Sequence, residues 1–344
     1  MAMPYLDIIA VICSKPVASM IENIDGCAKM SLQANIFAYG IISKRGKSMR
    51  YLSVVEVAKK WNMSERGVRN YCAQGKIVGA FLTGKTWNIP EEATRPNRIL
   101  AKDGKSATLL DILKAEKSTR LSGGIYHKIQ IDLTYNSNHI EGSKLSHDQT
   151  RYIFETNTIS IEGSAINVDD IVETVNHFKC IDLAIDNASA SLSEKFIKTL
   201  HQVLKNGTTD SRKEWFVVGD YKKLPNEVGG NETASPKEVC LKMKELLLCY
   251  NQIKEKTFEE LLDFHYKFES IHPFQDGNGR VGRLIMFKEC LKNNITPFII
   301  DEELKLFYYR GLNQWQNERG FLMDTCLLAQ DKFKKYLDYF EIKY

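Results

Sequence analysis

The sequence predicts a mainly α-helical protein. A large all-helical body carries one small β-hairpin, and a small domain of two helices and a hairpin precedes it. Apolar residues recur at helical spacing through most of residues 109–340, which is the primary helix signal. Strand-like stretches are confined to 77–90 and 214–230. Ser, Thr or Asp stands ahead of several of the periodic runs, where a helix N-cap is needed.

With 344 residues the chain has room for two or three domains. Hydrophobic residues make up 43% and charged residues 26%, an ordinary globular balance. A net charge of +4 excludes an argument from the charge of the whole chain. The eight cysteines (13, 27, 72, 180, 240, 249, 290 and 326) include no Cys-x-x-Cys pair, which argues against a zinc site and a disulfide scaffold. A reducing cytosol, and so a cytoplasmic location, is the expectation. No apolar run approaches the ~20 residues a membrane helix needs. Ile8 to Cys13 is apolar but has no basic segment before it, so no signal peptide is expected.

In chain order, residues 1–48 show neither periodicity nor motif, and are expected to be a poorly structured extension or a small helical appendage. Residues 49–98 read as a compact module. Ser53 and Glu56 form a capping box, and Val54, Val57, Ala58 and Trp61 give a helical stripe. Ser64 caps a second helix carrying Arg66, Arg69, Asn70 and Tyr71, which Gly75 ends. Ile77–Leu82 and Trp87–Pro90 are short strands joined by Thr83-Gly84-Lys85. Two helices and a wing resemble the winged helix-turn-helix of excisionase and MerR-like proteins. The segment holds nine Lys or Arg against four Asp or Glu, a balance of +5. Such modules place the second helix in the major groove, with basic side chains on phosphates. Arg66, Arg69, Asn70 and Lys85 are then the DNA-contacting candidates. Docking to a protein, or a purely structural role, is the alternative.

Residues 99–189 form a linker and a helical region. Helices are expected at 109–117, 125–139, 146–156 and 168–187. Ser137 and Glu141 share one helix face just before Gly142, which by itself reads as a surface Glu at a helix end. A catalytic core is placed at 190–335, with a helix at 192–205, a hairpin over 214–230, and helices at 236–255, 257–271, 301–317 and 321–340. Residues 336–344 are assigned to a C-terminal tail.

The chemistry concentrates in His272-Pro273-Phe274-Gln275-Asp276-Gly277-Asn278-Gly279-Arg280-Val281-Gly282-Arg283. The stretch leaves one helix and enters another at about Asn278. Gly277 and Gly279 allow a tight turn and a close approach of backbone to ligand. The new helix N-terminus offers unpaired N–H groups and a positive dipole end, an anion site. Arg280 and Arg283, three apart, share a face and reach an anion larger than one phosphate. Asp276 amid this positive potential suggests a hard cation, Mg²⁺. His272 suits general-base work. Together these fit phosphoryl or nucleotidyl transfer.

This stretch resembles the signature of the Fic (Fido) family, H-P-F-x-D/E-G-N-G-R-x-x-R, at every fixed position. The resemblance implies transfer of AMP from ATP onto a protein hydroxyl. It implies that Gly277, Asn278 and Gly279 cradle the phosphates, that Asp276 holds Mg²⁺, that Arg280 and Arg283 take the β- and γ-phosphates, and that His272 is the base. Phe274 should anchor the loop. Ser137…Glu141-Gly142 is similar to the S/T-x-x-x-E-G/N pattern of the family's inhibitory helix, which implies that Glu141 pairs with Arg283. The hairpin at 214–230 would be the flap whose edge receives the target segment. His265 is read as a packing or hydrogen-bonding residue. Tyr308, Tyr309 and Asn313 are candidates for the adenosine pocket, or core. The partners expected are a target protein with a reactive hydroxyl, the chain itself as a target, a second copy in a homodimer, and duplex DNA through 49–98, with no membrane. Two other readings remain: a DNA-binding regulator that senses a nucleotide, and transfer of another phosphate-containing group, or AMP removal, at the same site.

Overall fold

A computed structural model of the protein describes residues 50–73, 75–84, 86–95, 107–160, 165–228 and 230–344. The expectations for residues 1–48 and for Lys85 lie outside these. The first elements are β1 (Tyr51–Leu52), α1 (Val54–Trp61), α2 (Glu65–Ala73), β2 (Phe81–Thr83) and β3 (Thr86–Pro90). Ser53 and Glu56 cap α1 reciprocally, and Val54, Val57, Ala58 and Trp61 are its buried residues. The Ser64 hydroxyl accepts from Gly67 N at 3.1 Å at the start of α2. β2 and β3 form an antiparallel hairpin in which Phe81 faces Asn88 and Thr83 faces Thr86. The expected strand at 77–82 begins only at Phe81, because 77–80 fold into a turn closed by Ala80 N on Ile77 O.

Among the described residues ten further helices follow: α3 (Leu109–Thr119), α4 (Ile125–Ile140), α5 (His147–Thr156), α6 (Val168–Asp186), α7 (Glu194–Lys205), α8 (Pro236–Gln252), α9 (Phe258–Ile271), α10 (Asn278–Lys292), α11 (Glu302–Gln314) and α12 (Gly320–Tyr339). One hydrophobic core runs from Leu109 to Ile342 through nearly all of them. It joins the segments placed before and after residue 190, so α4 and α6 pack directly on α10. The boundary for a tail at 336 is corrected: α12 continues to Tyr339, and Leu337 and Ile342 are buried.

The helix α10 is the axis of this body. Arg280 through Leu291 are all buried, so it has no solvated face, as expected of a helix enclosed on every side. Its polar residues must therefore be paired. Lys288 Nζ donates to Glu289 Oε1 at 2.6 Å and to Ala190 O at 2.5 Å, and Tyr250 OH donates to Glu289 Oε2 at 2.7 Å. The N-terminus of α10 is where the Gly-rich loop arrives, so that loop rests on the most buried element of the protein. Among the described residues no helix is long and apolar enough to cross a membrane.

Candidate active site

The loop between α9 and α10 is built by its own side chains. His272 ends α9 in a left-handed conformation, φ 51°, with its N–H donating to Phe268 O. Gly277, φ 81°, then opens α10, at a backbone angle that glycine tolerates best. Asn278 closes the loop from inside. Its Oδ1 accepts from Phe274 N at 2.8 Å, and its Nδ2 donates to Phe274 O at 2.8 Å. The side chain expected at the phosphates is therefore a loop clamp, and only the Asn278 backbone is left for an anion. Phe274 is fully buried and stacks on His201, with ring centroids 4.0 Å apart. His201 Nδ1 accepts from Gly219 N at 2.9 Å, which leaves Nε2–H to donate to Asp276 O at 3.2 Å. Burial lowers the His201 pKa to about 3, so it acts as a neutral hydrogen-bonding strut. Phe274→Ala is expected to cost about 3–5 kcal/mol, as truncation of a buried aromatic usually does. A lowered thermal midpoint checks this, and an unchanged midpoint would show that the loop stands without its anchor.

His272 is largely buried, and burial pulls its pKa down to about 4, so the ring is neutral near pH 7. Nδ1 lies 3.3 Å from Glu269 O. With the proton on Nδ1 for that bond, Nε2 carries the free lone pair a base requires. Glu269, one turn back in α9, is enclosed as well. Burial raises its pKa to about 8 although Arg283 opposes the shift.

Arg283 is already engaged. Its Nε donates to Ser137 Oγ at 3.0 Å, and Nη2 donates to Ser137 O at 2.9 Å and to Glu141 Oε1 at 2.7 Å. The Glu141 contact is single rather than bidentate, because Ser137 takes the Nε edge of the guanidinium. Glu141 is the C-cap of α4, and Gly142 follows at φ 100°, so the end of α4 delivers the carboxylate. A Cβ on Gly279 would lie 2.3 Å from Glu141 Oε1, so this glycine makes room for the contact.

Arg280 and Asp276 belong to a second ion network. Arg280 Nη1 is paired with Glu173 of α6, and Nη2 donates to Asp276 Oδ2 at 3.3 Å. Lys205, the last residue of α7, is paired with Glu173 and also donates to Asp276 Oδ2 at 2.6 Å. Burial pushes the Asp276 pKa up, but Arg280 and Lys205 outweigh it and hold it at about 2. Among the described residues no three His, Cys, Asp or Glu side chains gather as a metal cage. Mg²⁺ often uses one or two carboxylates together with substrate phosphates, and the half-exposed Asp276 carboxylate fits that donor set.

The two tyrosines separate. Tyr308 is 1% exposed, and its hydroxyl bonds His265 Nε2 at 2.5 Å. It is a core residue with no surface for a nucleotide, which corrects its placement in the adenosine pocket. Tyr309 is 39% exposed, with its ring centroid 5.5 Å from that of Tyr308. Asn313 is exposed on α11.

The hairpin is also corrected. Residues 214–221 form no strand; the two strands are β4 (Glu227–Val228) and β5 (Asn231–Glu232), with Glu227 opposite Glu232. The aromatic stretch serves the core instead, with Phe216 buried near His201. The base of the hairpin is tied to the loop. Lys222 N donates to Pro273 O at 2.9 Å, and Asn226 Nδ2 donates to Phe274 O at 2.9 Å.

The residues assigned to DNA lie elsewhere. The Arg66 guanidinium sits 3.8 Å from the Tyr339 ring centroid, and Tyr339 OH donates to Asn70 Oδ1 at 3.1 Å. Arg69 pairs with Glu65 on α2 itself. Two of the four candidates thus face α12, which corrects the expectation that this helix presents them free to a groove.

Sequence reasoning missed Glu173, His201, Lys205, Lys222 and Asn226. None belongs to a motif, and each is brought to the loop by helix packing or by the hairpin base.

A Gly-rich loop thus rests on the N-terminus of a central helix, with a neutral histidine before it and two arginines behind it. Residues 191–290 match the Fic/DOC family model. The chain is 29% identical over 182 residues to the protein adenylyltransferase Fic of Drosophila grimshawi, and to that of Drosophila melanogaster, covering 52% of this chain and 36% of each relative. It thus spans about a third of the length of these curated relatives. Its fold is similar to that of a Fic domain containing signaling protein from Bacteroides thetaiotaomicron, at TM-score 0.53 and 24% identity, over 67% of this chain and 94% of that one. Fic-1 from C. elegans matches at TM-score 0.51 and 20% identity, over 67% of this chain and 71% of that one.

Proposed function

We propose that the protein transfers AMP from ATP to a Ser, Thr or Tyr hydroxyl of a target protein, and that Glu141 holds it in check. The observation that carries this reading is a neutral, backbone-oriented His272 beside a helix N-terminus whose Arg283 is already held by a carboxylate. Binding a nucleotide needs no base, whereas attack by a hydroxyl does.

The backbone of Gly277 to Gly279 and the α10 dipole receive the phosphates. Arg280 offers its remaining donors to the β-phosphate, and Arg283, once released, offers its own to the γ-phosphate. Asp276 would hold Mg²⁺, which would supply charge neutralisation at the phosphates. His272 Nε2 takes the hydroxyl proton while the target oxygen bonds to the α-phosphorus. The bond from that phosphorus to the bridging oxygen breaks, and pyrophosphate leaves with the electron pair. Positioning and charge neutralisation are what such a transfer requires of a protein. The β4–β5 edge is where a target segment would add as a strand.

The test is to compare ATP labelled at the α-phosphate with ATP labelled at the γ-phosphate, using the chain itself and candidate targets as acceptors. Label from the α position alone is expected. Label from the γ position alone would make the protein a kinase, and label only from UTP or a choline nucleotide would change the group transferred.

For residues 49–98 we infer a winged helix-turn-helix module that meets duplex DNA through phosphates. The capped helix pair and the hairpin support the first part. The contacts of Arg66 and Asn70 with Tyr339 imply that DNA must compete with α12. Full-length protein should therefore shift duplex DNA weakly and only at low salt. Tyr339→Ala should strengthen the shift several-fold by freeing Arg66, of the order of one phosphate contact. No shift with either protein at low salt would make the module a protein-docking element.

A further inference from the structure

Glu173, Arg280, Asp276 and Lys205 form a closed ring of alternating charge. The Arg280 side chain is 6% exposed and that of Lys205 3%, while Glu173 is 13% exposed. Glu173 comes from α6 and Lys205 from the end of α7, so neither is part of the loop they support. Glu173 receives both cations. Asp276 receives both as well, on the same oxygen, Oδ2. Arg280 gives Glu173 a bond from Nη1 alone and Asp276 a longer one at 3.3 Å, and its buried Nε has no hydrogen-bond partner. The guanidinium is thus turned toward Glu173 with donors to spare, rather than clamped on Asp276.

We propose that Glu173 and Lys205 are opposed positioning residues that set how far Asp276 is open to a divalent cation. The inference rests on the nucleotide-transfer reading above. Glu173 draws Arg280 away from Asp276 and shares Lys205 with it, which keeps the carboxylate accessible. Lys205 is the built-in cation that neutralises Asp276 when no metal is bound, and any metal must displace it. Removing Glu173 leaves Lys205 on Asp276, with Asp210 3.7 Å away, and leaves Arg280 with Asp276 as its remaining ring partner, so Arg280 closes on Asp276 and masks it. Removing Lys205 leaves Asp276 with Arg280 alone and open to metal. Opposite effects from two residues on one ring are not what a scaffold role gives. Loss of a scaffold would lower stability and weaken ligand binding with and without metal alike.

The test is calorimetry of the full chain with α,β-methylene ATP, which cannot be cleaved at the reacting bond, with and without Mg²⁺. The reading is the metal gain, the ratio of the two affinities. Glu173→Gln should bind the metal-free nucleotide more tightly, because the ring gains a net positive charge, and its metal gain should fall by roughly tenfold, one charge acting at close range. Lys205→Met should bind the metal-free nucleotide more weakly and show a larger metal gain. Glu173→Asp should restore the wild-type gain in large part. If the metal gain is the same in all four proteins, or moves in the same direction in both charge-removing variants, the proposal is overturned while nucleotide binding stands. If the wild type binds no nucleotide under either condition, the proposed function falls and takes this inference with it.

Discussion

Glu141→Gly is expected to raise self-labelling and target labelling by ~10²-fold over the wild type, the scale that misalignment of about 1 Å at a reacting centre can cost. Glu141 Oε1 accepts from Arg283 Nη2 at 2.7 Å, and such a charge-assisted bond takes from a γ-phosphate the donor it would use. ATP entering beside it would sit with its α-phosphorus poorly aligned for attack. The glycine variant removes that carboxylate but keeps Ser137, whose Oγ and carbonyl hold the other edge of the guanidinium. Arg283 therefore stays in place, with Nη2 freed of Glu141 while it keeps its bond to the Ser137 carbonyl. Glu141→Asp, one methylene shorter, should fall between. Ser137→Ala should change labelling far less than Glu141→Gly, because the Ser137 carbonyl bond remains. Arg283→Ala should be inactive in either background. Labelling with α-labelled ATP across this set decides it, and equal activity in wild type and Glu141→Gly would reduce Ser137 to Gly142 to a helix end.

His272→Ala should lower transfer by at least 10²–10⁴-fold, the usual contribution of a positioned general base, while leaving nucleotide affinity nearly unchanged. The motive is that His272 makes no contact that phosphate binding needs, and that its ring is neutral near pH 7. The pH dependence carries a sign. A base whose pKa is lowered to about 4 is competent above that value and is lost as pH falls through it. In the Glu141→Gly background the transfer rate should thus be flat with respect to this group from about pH 5 upward and decline toward pH 4. An acid limb centred near 6.5 would mean that the histidine titrates as if in water. Full labelling by His272→Ala would remove it from the mechanism. Affinity by calorimetry alongside labelling separates a lost base from a lost fold.

Much of the site was legible in the sequence because its parts lie within twelve positions. Local chain geometry alone brings His272, Asp276, Gly277, Arg280 and Arg283 to one helix N-terminus. The helices were legible for a similar reason: caps such as Ser53 with Glu56 act over three residues, and the apolar period reports a buried stripe. Where an apolar period has two explanations, sequence reading failed. The aromatic stretch at 214–221 has strand-like composition, yet Phe216 is held by packing against His201, and the strands form later, at Glu227–Val228 and Asn231–Glu232.

What the sequence by itself determined is the mainly helical class, the loop entering α10, and the presence of a carboxylate at the end of α4. Tertiary structure alone decided what those groups touch. Glu141 and Arg283 are 142 positions apart, and Glu173 and Arg280 are 107 apart. No periodicity or spacing relates residues at that separation. Helix packing around α10 brings the ends of α4, α6 and α7 to one loop. It gives Tyr308 to His265, and Arg66 to Tyr339. A side chain buried by packing must spend its hydrogen bonds on whatever packing places beside it, and that neighbour is fixed by the fold as a whole.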